Sequence, residues 1–295
     1  MGQKIIIIVG PTASGKSDLA VFVARRVSGE IISADSRQIY KSLDIGSGKI
    51  TRSEMKKTPH HLLDIANPKK VFTVAKYQKI ANKKIKEIWL KNKTPIICGG
   101  TGFYIQSLID GLVIPRVKPK PKLRRELFKK STEDLFKMIQ KKDKERAKNI
   151  DAHNKVRLVR ALEIIDSLGK VPKIKTNPLK AEILIIGIKK EKKVLQKLIK
   201  IRLLKRIKIG LIKEVINLHN KQKISWKKLE SFGLEYRYIA HYLQNKISKN
   251  EIIEKLLTEI YHYAKRQMTW FKRDGRIHWI ENKKQAIQLV EKFLS

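Results

Sequence analysis

Acidic side chains are scarce in this chain, cysteine is almost absent, and no apolar run is long. Of 295 residues only 27 are Asp or Glu, against 67 Lys or Arg, for a formal net charge of +40. So large an excess creates a positive field that attracts polyanions, with nucleic acid the leading class of partner. Lysine filling solvated faces throughout would give the same total, so charge alone does not choose a function. Cys98 is the only cysteine, which excludes an intramolecular disulfide and a cysteine-ligated zinc finger. Within PIICGG it reads as a small buried apolar side chain rather than a reactive thiol. At the N-terminus the apolar run Ile5 to Val9 is too short for a signal-peptide core or a membrane span. No later stretch reaches the roughly 18 apolar residues that a transmembrane helix requires. A soluble cytoplasmic protein with no membrane partner is the expectation.

The first ~110 residues alternate apolar runs with helical patterns. KIIIIV, the helix Lys16 to Val27, EIISAD, the helix Thr73 to Leu90, TPIICGG and a helix after Gly102 form a β-α-β series, which implies a parallel sheet covered by helices. The fold class is therefore α/β. IPRVKPKPK, around 114 to 122, is punctuated by proline and reads as a linker. A charged helical stretch follows, and EILIIGI, Glu182 to Ile188, then resumes the sheet. The expected organisation is a core of 1–114 with 181–295, interrupted by a helical insertion domain at 115–180. After the resumed strand come two long basic helices and a helix-strand-helix that includes RIHWIE.

GPTASGKS, comprising Gly10, Pro11, Thr12, Ala13, Ser14, Gly15, Lys16 and Ser17, fits G-x-x-x-x-G-K-[ST] between a predicted strand and a predicted helix. Backbone N–H groups at that helix start, the Lys16 charge and a Ser17 hydroxyl able to hold Mg²⁺ make a phosphate or pyrophosphate site. Which phosphate it holds is open at this level. Asp35, at the end of the second strand, falls on the same carboxyl edge of the sheet, where open α/β sheets bind ligands. It suits capping a turn, holding a metal through water, or acting as a general base.

Seven ordered blocks decide between these readings by resemblance: GPTASGKS, ISADSRQIYKSLDIGSGK, PHHLLDIANP, GGTGFYIQSLIDGL, DAHNKVRLVRALEI, FGLEYRYIAHYL and AKRQMTWFKRD. The set resembles the tRNA dimethylallyltransferase family, also called isopentenyl-tRNA transferases, from residue 4 to about residue 280. The resemblance implies a P-loop NTPase-like core. It also implies transfer of a dimethylallyl group from its pyrophosphate to the exocyclic N6 of adenosine 37, 3′ of the tRNA anticodon, with Mg²⁺ as cofactor. On that basis the loop holds a prenyl pyrophosphate, Asp35 is the catalytic base, and Thr101 contacts the departing pyrophosphate. Lys16 and Arg202 supply positive charge. The chain departs from the family at Leu198, where another arginine is usual, at Arg206, where methionine is usual, and at GSGKIT, which leaves the role of Lys49 undecided. His60 and His61 fit a structural hydrogen bond as well as a ligand role.

For the RNA, Arg157 and Arg160 lie one helical turn apart, with Val156, Val159 and Leu162 as the expected inward face, so both arginines can face outward. A surface salt bridge is the bland reading. The resemblance implies a tRNA-contacting block of Val156, Arg157, Leu158, Val159 and Arg160. It also implies tRNA contacts from Arg237, Lys265, Arg266 and Gln267, and from Asp35, Ser36, Arg37 and Gln38 around the flipped base, with Gln38 as reader of the adenine edge. Two of Met268, Trp270 and Phe271 are expected in the core. The partners implied are the anticodon stem-loop and dimethylallyl pyrophosphate, with the protein acting as a monomer. The alternatives are prenylation of a free adenine nucleotide, a P-loop metabolite kinase, and a non-catalytic RNA-binding protein.

Overall fold

The computed structural model describes residues 3–295. Its first unit runs to Asp110 and resumes at Pro178–Ser295, and the second unit is Gly111–Asn177. These divisions fall slightly earlier than composition suggests. The reason is an antiparallel bridge between Leu112 and Thr176, which ties the two ends of the insertion to each other.

In the first unit the chain forms β1 (Lys4–Val9), α1 (Lys16–Arg26), β2 (Glu30–Ser33), α2 (Arg52–Met55), β3 (His60–His61), α3 (Val74–Trp89), β4 (Pro95–Gly99) and α4 (Gly102–Ile109). The insertion contributes α5 (Pro121–Leu127), α6 (Thr132–Lys142), α7 (Lys144–Lys148) and α8 (Lys155–Leu168). The first unit then continues with β5 (Glu182–Ile188), α9 (Lys192–Lys208), α10 (Leu211–Asn220), α11 (Trp226–Ser231), α12 (Leu234–Leu243), α13 (Lys249–Phe271), β6 (Ile277–Ile280) and α14 (Lys283–Leu294).

The six strands form one parallel sheet in the order β3-β2-β4-β1-β5-β6. An unbroken isoleucine run suits β1 because this strand is covered on both faces. Ile5, Ile7 and Val9 pack with Tyr77, Ile105 and Ile199 on one side, whereas Ile6 and Ile8 pack with Leu19, Val23 and Val290 on the other. The region after β5 is more broken than two long basic helices. Gly210, at φ 108°, is a left-handed residue that stops the first of them and caps α10. β3 is an edge strand of two residues whose pairing is purely tertiary, so no alternation marks it. In the insertion, Leu135 and Ile139 of α6 pack with Leu158, Val159 and Leu162 of α8 in a separate small core.

At the start of β2, Glu30 is buried and accepts hydrogen bonds from Lys93 at 2.9 Å, His61 at 2.7 Å and Lys91 at 3.3 Å. Burial pushes its carboxyl up, but these bonds outweigh burial and hold it down to about 2. Its stabilising contribution is therefore complete above the unfolded-state value of 4.5 and fades as pH falls toward 2. Glu30→Gln should lower stability by about 2 kcal/mol at neutral pH. Urea denaturation across pH should show the gap to wild type shrinking below about pH 5 and closing only toward pH 2.

Candidate active site

Three adjacent strands deliver the site. The carboxyl ends of β1, β4 and β2 lie side by side, so the P-loop, the Gly100–Gly102 turn and Asp35 meet at one sheet edge. The approach is close: a Cβ on Gly99 would fall 2.2 Å from the Ala34 carbonyl oxygen, so only glycine fits. Thr101 N–H donates to that same oxygen at 3.1 Å. The Thr101 hydroxyl oxygen accepts from Ser36 N–H at 3.0 Å, which leaves its own proton available as a donor.

The P-loop is held in a conformation suited to an anion. Ala13 and Gly15 have left-handed φ values of 63° and 87°, and α1 begins at Lys16. Its first N–H groups thus face the concavity with the positive end of the helix dipole behind them. Ser14 Oγ is buried with no hydrogen-bond partner. Lys16 Nζ folds back to donate to the Pro11 carbonyl at 3.1 Å. Gln267 of α13, expected to touch tRNA, instead braces this loop. Its Oε1 accepts from Thr12 N–H at 2.8 Å and its Nε2 donates to the Gly100 carbonyl at 2.9 Å. It is buried, so its side chain is not an RNA contact in this structure.

Cations crowd the loop. Arg202 donates to Thr12 Oγ1. Burial, opposed by Cys98 and reinforced by Arg202, pulls Lys16 down to about 8. Burial and then Arg206 likewise pull Arg202 down to about 9, so it remains charged at neutral pH. Mutually repelling cations at a helix N-terminus with an orphaned hydroxyl form a receptor for an anion carrying several charges.

Asp35 lies where two hollows meet. One is lined by Lys16, Ser17, Ser33 and Gln38, and the other by Thr12, Arg37, Arg202 and Tyr263. Its Oδ1 accepts from Arg37 N–H at 2.8 Å and Gln38 N–H at 3.3 Å. Asp35 is thus a turn cap with one oxygen, while Oδ2 remains for another proton. Ser36 lies on the same turn. The Gln38 amide is engaged at both ends: Oε1 accepts from Ser33 Oγ at 3.2 Å and Nε2 donates to Gly48 O at 3.1 Å. Arg37 Nε donates to Phe232 O at 2.6 Å.

Arg237 and Arg266 line the second hollow and are exposed, the latter 6.0 Å from the Tyr263 ring. Lys265 is also exposed. Phe271 is core, and Trp270 packs edge-on against Phe103. In the insertion, Val156 is 67% exposed in the first turn of α8, so it is not part of the inward face. Leu158 joins the expected Val159 and Leu162 on that face, and the burial of Leu158 and Val159 removes their side chains from any RNA surface. Arg160 forms the salt bridge of the bland reading: it donates to buried Glu163 at 3.2 Å and to the Val117 carbonyl at 2.9 Å. Arg157 is exposed.

Sequence reasoning missed Tyr263, although it stands one helical turn before Gln267 on α13 and so shares its face. Lys49 is structural, with Nζ 2.5 Å from both Asp44 and Asp64 and bonded to the Tyr40 carbonyl. His60 and His61 are also structural, paired with Thr58 O and Glu30. Burial pushes the Cys98 thiol up to about 12, which makes it inert.

A family model described as IPP transferase matches residues 38–274. The tRNA dimethylallyltransferase 2 of Treponema denticola is 41% identical over 290 residues, covering 93% of this chain and 95% of that protein. The tRNA dimethylallyltransferase of Carboxydothermus hydrogenoformans is 38% identical and covers 100% and 97% respectively. Among solved structures, the full-length tRNA isopentenylpyrophosphate transferase of Bacillus halodurans superposes with a TM-score of 0.74 at 32% identity, covering 99% of this chain and 95% of that one. A eukaryotic dimethylallyltransferase acting on tRNA gives a TM-score of 0.83 at 22% identity, covering 99% and 79%, and shares the fold.

The lowered Lys16 pKa makes anion binding sensitive to pH. Below about 8 the ammonium is charged and binds; above it the free protein loses that charge. Calorimetry should show the affinity for inorganic pyrophosphate falling about tenfold from pH 7 to pH 9. In Lys16→Met affinity should be weak at both pH values, with that dependence removed.

Proposed function

The chain belongs to the IPP transferase family, and from that premise we propose that it transfers a dimethylallyl group from dimethylallyl pyrophosphate to N6 of adenosine 37 in tRNA. The observation that carries the reading is the position of Asp35, with the P-loop cradle on one side and an arginine-lined hollow on the other. A base at that junction reaches an amine entering from the hollow while the diphosphate lies in the cradle.

The chemistry is a substitution at the prenyl C1. The N6 lone pair forms the new N–C bond, the C–O bond to pyrophosphate breaks, and its electron pair leaves on the oxygen. Asp35 Oδ2 accepts the N6 proton, which compensates for the weak nucleophilicity of an adenine amine. The P-loop N–H groups, Lys16 and Arg202 stabilise charge growing on the leaving group, and the Thr101 hydroxyl donates a hydrogen bond to the departing oxygen. Ser14 Oγ, buried and unpartnered, suits a phosphate oxygen.

The donor set also fits Mg²⁺ bound chiefly through its substrate. Among the described residues there is no group of three His, Cys, Asp or Glu that could hold a metal. Ser17 Oγ is the side chain that would help hold the ion. When bound, Mg²⁺ supplies neutralising charge to the leaving group. All the groups invoked come from one chain, which supports action as a monomer. A cytoplasmic location follows from the tRNA acceptor, and no described helix is long and apolar enough to cross a membrane.

On the RNA side, Arg37, Arg237, Lys265, Arg266 and Arg157 are the cations available to phosphates. Gln38 reads adenine by exchanging its bonds to Ser33 and Gly48 for bonds to the base. The acceptor is tRNA rather than a free nucleotide, in keeping with the names of the relatives.

Incubation with labelled dimethylallyl pyrophosphate, Mg²⁺ and unmodified tRNA should place label in the RNA with one pyrophosphate released per transfer. Label appearing in AMP but not in tRNA, or ADP formation from ATP without prenyl transfer, would refute the assignment. Asp35→Ala should lower the single-turnover rate by roughly 100-fold or more while tRNA affinity stays close to wild type. Wild-type turnover by that variant would remove Asp35 from the base role.

A further inference from the structure

Helix α9 carries two departures from the family pattern, and one of them is deeply buried. Leu198 is 37% exposed, whereas Arg206, one turn beyond Arg202 on the same face, is only 7% exposed. Its Nη1 donates to Glu235 Oε1 at 2.8 Å and to the Gly46 carbonyl at 3.3 Å. Its Nη2 lies against Gly48, where a Cβ would come within 1.6 Å of it. Glu235, at the start of α12, is itself buried and lines the same hollow as Arg202, Thr12 and Asp35.

That placement makes Glu235 a hazard to the diphosphate site. A buried carboxylate seeks a cation, and stranding one by removing its partner is strongly unfavourable. Of the other arginines lining this hollow, Arg202 is the one on the same helix as Arg206, one turn before it, so it is the cation that stands beside the place Arg206 would vacate. If Arg202 turned to Glu235 it would leave Thr12 and withdraw its charge from the cradle.

We propose that Arg206 is a positioning residue: by holding Glu235 in a buried ion pair, it keeps Arg202 free to bind the diphosphate. The proposal rests on the diphosphate reading of the cradle given above. It also accounts for the way Arg206 is used here, as a counter-ion enclosed by Gly46, Gly48 and Glu235 rather than as a cation presented to the ligand.

The test is calorimetric binding of inorganic pyrophosphate, with Mg²⁺, to the full chain, comparing wild type, R206M, E235Q and R206M/E235Q. Circular dichroism and thermal melting are read on the same samples. R206M should bind about tenfold or more weakly, because Glu235 then captures Arg202. Removing the carboxylate as well should restore binding to within about threefold of wild type, and E235Q alone should bind no more weakly than wild type. A merely structural role would change the melting temperature without this rescue.

The proposal is overturned if R206M binds like wild type, or if the double variant stays as weak as R206M, which would make Arg206 itself the ligand. Should R206M fail to fold, the double variant against E235Q still decides: equal, near-wild-type binding supports the proposal, and loss in the double variant alone sinks it. Wild-type protein that ignores pyrophosphate would overturn the diphosphate reading itself, and the proposal with it.

Discussion

Positive charge in excess of the nearby carboxylates is the condition around which this site is organised. Lys16 and Arg202 are half-buried beside the P-loop; Arg202 and Arg206 make the Lys16 charge harder to keep, and Arg206 does the same to Arg202. A fold tolerates such crowding only where neighbouring contacts hold the groups in place, and here they do. Gln267 fastens the loop to the β4 turn, Thr12 accepts from Arg202, and Glu235 neutralises Arg206. An anion bound in the folded state alone relieves the repulsion and stabilises the protein by mass action. Ligand affinity and the electrostatic cost borne by the free protein are thus two views of one arrangement.

The sheet converts this local arrangement into geometry. Because β2, β4 and β1 are parallel neighbours, their ends present Asp35, Thr101 and the P-loop in one plane without any long-range search by flexible loops. The contact of Gly99 with the Ala34 carbonyl sets the spacing, and the Ser36 to Thr101 hydrogen bond links the Asp35 turn to the Thr101 hydroxyl. A second layer comes from the 44–48 loop. Glu214 accepts the N–H groups of Asp44, Ile45 and Gly46, and the Tyr236 hydroxyl bridges Glu214 and Ser47. The Gly48 carbonyl that receives Gln38 therefore belongs to a loop braced by Glu214 and Tyr236, which fixes where that side chain rests.

How much of this was legible in sequence depended on the range of the determining interactions. The central strands declared themselves because burial on both faces leaves an unbroken apolar run, as in KIIIIV. The two-residue strand at His60 left no signal, since pairing alone makes it. The cradle was legible through glycine spacing, and Asp35 through its place after a strand. The work of Gln267 was not, because a glutamine in KRQMTW looks the same whether it faces RNA or a backbone 255 residues away. On α8 the inward face was misjudged at Val156, which, two residues before Leu158, falls on the opposite side of the helix from Leu158, Leu162 and Ile165.

Arg160 shows why the net charge of +40 is a poor guide to where RNA binds. Glu163 is fully buried in the insertion and gathers Arg124, Arg160 and the Lys120 N–H about itself, so two arginines that look free in the sequence are committed to a carboxylate. Arg206 is committed to Glu235 in the same way, and Arg276 to Asp274 and Asp110. With so few acids in the chain, each buried one takes up basic partners and withdraws them from any polyanion. The remaining exposed lysines make a diffuse field that speeds encounter and carries the salt dependence, but holds no register. Register must come from cations with fixed surroundings beside the reacting atoms. Arg37 is such a cation, because its guanidinium is anchored on the Phe232 carbonyl and its backbone N–H is bonded to Asp35. On the proposed reading, recognition and chemistry therefore share one turn of chain.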